Sequence, residues 1–299
     1  MNDAIRGWLM LQQDLGGDEI LWDVPVDPAA LVARSAVPTA PASPVAGTRA
    51  RMPRDVADSR TESILASGPN DGVLAEASPA TAIVSGEKVD WQKGAPPIPG
   101  PGISVTSSPL VAGTEWESLD EIAAIVHACQ RCPLCRTRTH AVPGEGDARA
   151  GLFLVGEGPG ESEDKSGRPF VGRAGELLDK MLAAIDIPRA DAYIANVVKC
   201  RPPKNRVPLP DEREACLPYL RRQIELVQPR VLLALGGTAA ETLLGVKTSL
   251  GQLRLKVHRW NGIPLIVTYH PAALLRNPNW KRPAWDDVRI ARQLLDRRA

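Results

Sequence analysis

Four cysteines stand at spacings that suit a metal centre. Cys129 and Cys132 are separated by two residues, and fifteen residues separate Cys200 from Cys216 in a later part of the chain. Four soft thiolates that arrive from separate segments can hold either a cubane iron–sulfur cluster or a tetrahedral zinc ion. Spacing alone also allows Cys135 to replace Cys129, because Cys132 and Cys135 form a second pair separated by two residues.

A glycine-rich turn lies between the two cysteine pairs. Gly156, Gly158 and Gly160 alternate with Glu157 and Pro159, and glycine both tolerates positive φ and lets a ligand approach the backbone closely. The turn is acidic and lacks the Gly-Lys-Ser/Thr of a phosphate-binding loop, which favours a neutral hydrogen-bonding ligand over a phosphate. A tight turn between a strand and a helix would require the same glycines, so both interpretations stay open at this point.

Two residues outside this turn suit the binding of a flat polar ring. Asn196 lies in an otherwise apolar run, and a buried amide must find partners for both its donor and its acceptor. It can cap a neighbouring loop, or it can pair with one edge of a nucleobase. Phe170, one of two phenylalanines in the chain, is either a core residue or a platform on which a base stacks.

The segment after the last apolar run combines a histidine with leucines and an arginine. His270 can be a core residue or a hydrogen-bonding partner of a ligand, whereas exposed Leu274 and Leu275 beside Arg276 are harder to explain as core. A leucine wedge beside basic side chains is a recurring means of opening a base step in DNA. The segment therefore indicates contact with a nucleic acid.

Apolar runs predict the strands that must position these residues. Helical stretches alternate with four such runs, which cover residues 152–155, 192–198, 231–235 and 265–268. This alternation predicts an α/β fold, a three-layer sandwich in which helices flank a central, mostly parallel four-stranded sheet. Ligands of such sheets bind beyond the carboxyl ends of the strands. The fold prediction therefore brings the glycine-rich turn, Asn196 and His270 to one edge of the sheet.

Composition divides the chain into three parts. Residues 1–24 predict a short amphipathic helix or peptide, which needs a protein partner or packs on the folded domain because so short a helix is marginal alone. Residues 25–115 are rich in Ala and Pro and contain a single aromatic residue, so they predict a disordered linker. The folded domain is predicted to cover residues 116–299.

Charge is distributed unevenly over these parts. Residues 1–115 carry 8 Lys and Arg against 14 Asp and Glu, and residues 116–299 carry 28 against 21, so the net charges are −6 and +7. A basic domain suits a phosphate-rich partner, although this charge also fits an ordinary solvated surface. No apolar run approaches the roughly 20 residues of a membrane span, and we expect no signal sequence. An odd number of cysteines at metal-like spacing favours a reducing cytoplasm over disulfides.

Taken together, these motifs resemble those of the family 4 uracil-DNA glycosylases, the iron–sulfur branch of that superfamily. The resemblance covers roughly residues 116–299 and rests on the order of the segments Gly156–Asp164, Gly167–Gly172, Asn196–Pro203, Pro208–Asp211 and the one that begins at His270. It implies a uracil-DNA glycosylase-like fold. It also implies a monofunctional enzyme that hydrolyses the N-glycosidic bond of uracil in single- or double-stranded DNA and leaves an abasic site for base-excision repair.

By the same resemblance, four thiolates hold a [4Fe–4S] cluster, with zinc as the alternative metal. The ligands would be Cys129, Cys132, Cys200 and Cys216. Cys135 would stay free, because the family does not normally use a ligand at its position. The cluster would tie the first cysteine segment to the loop between the second pair, which implies a structural role.

The resemblance also implies how uracil is bound and released. The base would lie against three backbone units, those of Gly156, Glu157 and Gly158. Phe170 would stack on its ring, Asn196 would read its amide edge, and His270 would stabilise the departing anion through a hydrogen bond to O2. One leucine would fill the gap left by the flipped nucleotide, and the side chains that contact DNA would be Leu274, Leu275, Arg276, Arg201, Lys204 and Arg206.

The sequence leaves open which group orients the water that attacks the sugar. Many relatives outside this family carry an Asp in the first motif, where this chain has Gly158. Glu163 is a candidate catalytic substitute, or else a structural carboxylate in a reaction driven mainly by stabilisation of the leaving group.

Two other activities compete with turnover of uracil in DNA. A related group traps its product covalently and carries an extra basic, histidine-containing loop after the Asn strand, which this chain lacks. We therefore expect multiple turnovers by a monomer that works in the cytoplasm at the nucleoid. The second alternative is a module that binds DNA or uracil without cleavage.

Overall fold

A computed structural model describes residues 90–108, 113 and 116–297. The predicted peptide at 1–24 and most of the predicted linker therefore lie outside the described residues. The strands within the described residues are β1 Pro101–Val105, β2 Glu145–Gly146, β3 Leu152–Gly156, β4 Ala192–Asn196, β5 Val231–Leu235, β6 Val257–Trp260 and β7 Ile263–Thr268. They form one sheet in the order β1-β6-β7-β5-β3-β4-β2. The neighbours in β7-β5-β3-β4 are parallel, whereas β2 runs antiparallel to β4 and β6 antiparallel to β7.

Helices cover both faces of the sheet, because its central strands are apolar on both sides. In β3, Phe153 and Val155 belong to one core cluster, and Leu152 and Leu154 belong to the other. Burial on both faces explains why the sequence shows continuous apolar runs rather than alternation.

The helices divide between these two clusters. The first cluster takes in α1 Leu119–Ala128, α4 Pro210–Val227, α5 Gly237–Leu244 and α6 Leu250–Leu253. The second takes in α3 Arg173–Ala183, α7 Pro271–Arg276 and α8 Lys281–Asp296. A further short helix, α2, covers Glu161–Ser166. Within the described part of the chain, no helix is both long and apolar enough to cross a membrane.

The three layers confirm the predicted fold class, but the sheet is larger than the four strands that the sequence indicated. All four predicted strands are present, and they form the centre of the sheet as β3, β4, β5 and β7. The additional strands lie toward the edges, and two of them are short, with two residues in β2 and four in β6. Edge strands bury few residues, so their apolar signal in the sequence is weak.

Residues 90–108, which we call the N-terminal strap, correct the predicted domain boundary at residue 116. Trp91 is buried, and the Arg292 guanidinium lies 5.1 Å from the centre of its ring. Strand β1 pairs in parallel with β6, and the Ile103 amide donates a 3.0 Å hydrogen bond to Nδ1 of His258. The strap extends an existing sheet and needs no core of its own, which is why its composition predicted a linker.

The carboxyl ends of the central strands meet at one edge of the sheet. Gly156 ends β3 and Asn196 ends β4, and these two residues are register partners. Leu235 ends β5, and Thr268 ends β7 two residues before His270. The topology therefore brings the glycine-rich turn, Asn196 and His270 to the same edge, as the strand prediction required.

Candidate active site

A pocket of about 430 Å³ opens at this edge of the sheet. The segments that follow β3, β4, β5 and β7 all contribute to its walls. Eight residues singled out in the sequence line it, namely Glu157, Gly158, Glu163, Phe170, Asn196, Arg206, His270 and Arg276. A cavity of this size suits a small organic ligand.

The Asn196 side chain lies in this pocket without hydrogen-bond partners. The residue is 1 % exposed, and neither Nδ2 nor Oδ1 has a partner in the structure. A buried polar group left unsatisfied costs about 1–3 kcal/mol, so the amide does not stabilise the fold here. A ligand that offers one acceptor and one donor would satisfy both atoms.

Two glycines of the turn pack closely against neighbouring side chains, and one of them adjoins Asn196. A Cβ added at Gly156 would lie 2.2 Å from Oδ1 of Asn196 and 2.7 Å from the ring of Phe170. A Cβ added at Gly158 would lie 2.8 Å from a methyl group of Val198. Close packing therefore requires glycine at both positions, and the backbone of the turn lies against the two side chains that were predicted to bind a base.

His270 is a neutral hydrogen-bond donor in this setting. Its Nδ1 accepts a 3.1 Å hydrogen bond from the backbone N–H of Ala272, so in the neutral ring the proton is on Nε2. Burial, assisted by the positive charge of Arg276, lowers the pKa of His270 to about 4. The imidazole also stacks on Phe170 with the ring centres 5.4 Å apart.

Glu163 lines the pocket, but its carboxylate is occupied by the backbone. Oε1 accepts from the N–H groups of Val171 and Gly172 over 2.9 and 3.0 Å, and Oε2 accepts from Gly160 over 3.1 Å. These bonds join the glycine-rich turn to the loop that carries Phe170. The geometry gives Glu163 a role in holding two walls of the pocket together.

The two candidate wedge leucines differ in position. Leu274 is 1 % exposed and belongs to the core, whereas Leu275 is half-buried and packs against the same core cluster from its margin. Arg276 is exposed and lines the pocket. The structure therefore leaves Leu275, rather than Leu274, available as the wedge.

The three basic residues after β4 are not equally available to DNA. Arg206 donates to both carboxylate oxygens of the buried Glu212 over 2.6 and 2.8 Å. Arg201 donates from Nε to the side chain of Asn205 over 2.7 Å. Lys204 is exposed. Arg206 thus has a structural partner, while Lys204 is placed at the surface beside the pocket.

The cysteines converge although they come from separate segments. All five are free thiols that line one small cavity, namely Cys129, Cys132, Cys135, Cys200 and Cys216. Hydrogen-bond donors point at three of the sulfur atoms: Arg138 Nη1 at Cys200 (3.0 Å), the Lys199 amide at Cys216 (3.3 Å) and the Tyr219 hydroxyl at Cys129 (3.3 Å). Among the described residues, no group of three or more His, Cys, Asp or Glu side chains is placed to hold a metal ion. Thiolates gathered around one cavity are the donor type that binds an iron–sulfur cluster or zinc.

Several residues of the site carry no signal in the sequence. The hydroxyl of Thr238 at the start of α5 donates to Oε2 of Glu157, which fixes the acidic side chain of the turn. Arg138 and Tyr219 reach sulfur atoms 62 and 90 residues away. None of the three belongs to a short motif, because their roles depend on contacts between distant segments.

Residues 143–289 match the family model of the uracil DNA glycosylase superfamily. The chain is similar to the type-4 uracil-DNA glycosylases of Pyrobaculum aerophilum, Saccharolobus solfataricus and Thermotoga maritima, with identities of 45, 44 and 45 %. These matches cover 54, 60 and 61 % of this chain and 86, 87 and 97 % of the relatives. The chain therefore belongs to the uracil-DNA glycosylase superfamily and, within it, to the type-4 family.

Proposed function

We propose that this chain hydrolyses the N-glycosidic bond between uracil and deoxyribose in DNA and leaves an abasic site for base-excision repair. The observation that carries the proposal is the buried Asn196 amide, which lacks partners in a pocket shared with His270. Relatives with 44–45 % identity are named type-4 uracil-DNA glycosylases, which supports the same activity.

Uracil suits the hydrogen-bonding groups of this pocket. Its N3–H and O4 offer the donor and the acceptor that the Asn196 amide needs. Phe170 supplies an aromatic face for the ring, and Gly158, which lines the pocket without a side chain, allows the base to approach the backbone closely. Since a base inside a duplex cannot reach such a pocket, the nucleotide must be flipped out of the stack.

His270 supplies the catalytic interaction with the leaving group. Cleavage moves negative charge onto uracil, and a fixed donor beside O2 stabilises that charge more strongly in the transition state than in the ground state. The neutral imidazole can donate from Nε2, because Nδ1 is held by the Ala272 N–H.

Water then attacks the positively charged sugar without a dedicated carboxylate in the first motif. Gly158 offers no side chain, and both oxygens of Glu163 accept backbone hydrogen bonds. We therefore assign Glu163 the role of positioning the pocket walls. Stabilisation of the uracil anion would supply most of the rate acceleration.

DNA is held by side chains around the mouth of the pocket. Leu275 would fill the gap left by the flipped nucleotide, while Arg276, Arg201 and Lys204 would contact phosphates and thus fix the register without reading sequence. We expect a monomer to act on single- or double-stranded DNA. An enzyme with this substrate works at the nucleoid, and residues 1–24 would recruit a protein partner there.

The cysteine cavity is assigned to a [4Fe–4S] cluster. The ligands would be Cys129, Cys132, Cys200 and Cys216, with Cys135 free. The four thiols come from separate segments and line one cavity, and cysteine thiolates are the usual ligands of such clusters. The bound cluster supplies a rigid cross-link between segments. Iron and sulfide contents with a visible charge-transfer absorbance would identify it, whereas a colourless protein with one zinc per chain would contradict the assignment.

Excision from a labelled oligonucleotide tests the function. Anaerobically purified full-length protein is mixed with excess oligonucleotide that carries one uracil, and alkali then cuts the strand at abasic sites. We expect several cuts per enzyme molecule, and none in a matched oligonucleotide with thymine in place of uracil. A stable protein–DNA adduct at one per enzyme would indicate a covalent trap. Binding without cutting would reject the enzyme in favour of a binding module.

A further inference from the structure

Phe170 holds an uncommon backbone conformation inside the pocket. Its φ is +50°, in the left-handed region that a bulky residue rarely adopts and that persists only when the surroundings enforce it. This conformation places the ring beside His270 and against the backbone of Gly156. The position of the stacking platform therefore depends on whatever holds the loop.

Arg189 holds this loop from one side. Its guanidinium donates to two successive carbonyls, from Nη2 to Pro169 over 2.6 Å and from Nη1 to Phe170 over 3.1 Å. The same guanidinium is fixed by two carboxylates, those of Glu145 at 2.7 Å and Asp179 at 2.8 Å. A planar guanidinium makes several bonds of defined direction at once, which a lysine cannot do.

Glu163 holds the loop from the other side. It accepts from the N–H groups of Val171 and Gly172, the two residues that follow Phe170. Carbonyls at 169 and 170 and N–H groups at 171 and 172 are thus all bound by charged side chains. Gly175 completes the enclosure, since a Cβ there would lie 1.9 Å from the Phe170 carbonyl oxygen.

We propose that Arg189 is a positioning residue for uracil recognition, which acts by locking Phe170 in its left-handed conformation. The proposal rests on the proposed glycosylase function. Without the guanidinium, two carbonyls lose their charged donor and the loop can relax toward ordinary φ values. The ring would then leave the plane in which it meets both His270 and the base. Arg189 touches neither substrate nor reacting atoms, so its effect passes through Phe170.

The chain offers a matched control in Arg168. Its guanidinium also binds Glu145, over 2.8 and 3.2 Å, but the bonds that fix the loop carbonyls come from Arg189. Arg168→Ala therefore removes a cation from the same carboxylate while the clamp on residues 169 and 170 stays. Arg189→Lys keeps the charge and loses the fork, and it serves as the second variant if Arg189→Ala does not fold.

The experiment is a double-mutant cycle of Arg189→Ala with Phe170→Ala, read as kcat/KM for uracil excision. We expect Arg189→Ala to lose up to about 100-fold, as misplacement of a binding group does, and Arg189→Lys to lose less. Arg168→Ala should remain close to the wild type. The double variant should be no worse than Phe170→Ala alone, because the two residues act through one ring.

Additive losses in the cycle, or an equal loss in Arg168→Ala, would overturn the positioning role. Circular dichroism and thermal melting confirm that each compared variant is folded. Excision by the wild type in the same assay tests the glycosylase function separately from the positioning role. An inactive wild type would reject the glycosylase function and, with it, the positioning role that rests on it. An active wild type with unchanged Arg189→Ala and Arg189→Lys would reject only the clamp.

Discussion

The base pocket differs from the supporting parts of the fold, which we call the frame: the Arg254–Asp287 pair, Arg189, Thr238 and the N-terminal strap. The two regions differ in whether their buried polar groups have hydrogen-bond partners. In the pocket, Asn196 keeps both amide atoms without partners, and His270 keeps Nε2 for a ligand. In the frame, by contrast, Asp287 accepts from Arg254 over 2.6 and 3.1 Å and from the Thr268 hydroxyl over 2.8 Å. Three arginine Nε atoms outside the pocket, those of Arg213, Arg221 and Arg289, also lack partners among the described residues, but Asn196 is the residue for which both the side-chain donor and the acceptor do. This complete lack of partners supports the proposal that the substrate binds there.

This difference separates two kinds of expected defect. Removal of a frame residue leaves a buried charge without its partner or takes away buried apolar surface, and either change lowers the stability of the folded state. Removal of a pocket residue takes away a group that the folded state does not use, so the enzyme should fold and fail in catalysis. Measurements of stability and of catalysis on variants of the two regions can therefore test this difference.

The largest expected effect is the loss of stability in Asp287→Ala. Arg254 and Asp287 are 9 % and 1 % exposed, and burial raises the pKa of Asp287 to about 6, so the pair is ionised at pH 7.5. Breaking one partner of a buried pair costs roughly 3–5 kcal/mol, which denaturant unfolding at that pH would measure. The exposed pair of Lys165 with Glu161 provides the control, and Lys165→Ala should leave the unfolding curve in place. Equal curves for the two variants would show that the frame does not carry the stability assigned to it.

His270→Ala is the corresponding change in the pocket. Loss of one donor to a developing anion lowers kcat by about 10²–10³-fold, whereas KM should change little because the bond strengthens as the anion forms. Multiple-turnover excision would measure both constants. The exposed His127 serves as control, and His127→Ala should match the wild type. A folded His270→Ala with wild-type kcat would remove His270 from the mechanism.

The pH dependence of excision tests the protonation state of His270. Because its pKa is lowered to about 4 from 6.5, the ring stays neutral from pH 8 down to roughly pH 5, and kcat should be flat over that range. Below it, protonation of Nδ1 breaks the bond from the Ala272 N–H, so kcat should fall as pH falls through the pKa. If the cationic ring were the active donor, kcat would instead rise as pH fell through the pKa.

The sequence predicts the pocket better than the frame, for a physical reason. Central strands buried on both faces are continuous apolar runs, and a polar residue at the end of such a run, such as Asn196, stands out. Arg189 and Thr238 give no such signal, because an arginine or a threonine becomes informative only when a distant segment packs against it. The strap was predicted as linker for a similar reason, since β1 relies on the existing edge of β6. Local sequence patterns thus identify a polar residue in an apolar strand, whereas contacts between distant segments can be identified only in the structure.

The smallest expected effect is the loss of stability when the N-terminal strap is deleted. The strap belongs to the frame and not to the pocket, so its deletion should change stability without changing catalysis. Deletion of residues 1–89 keeps Trp91 and β1, whereas deletion of residues 1–108 removes both. Burial of one large aromatic side chain contributes about 1.5–3 kcal/mol, so the longer deletion should unfold at a lower temperature than the shorter one. Both should excise uracil with the same kcat well below their melting temperatures, because no strap residue lines the pocket. A longer deletion that melts like the shorter one but loses kcat would place the strap in the active site and remove it from the frame.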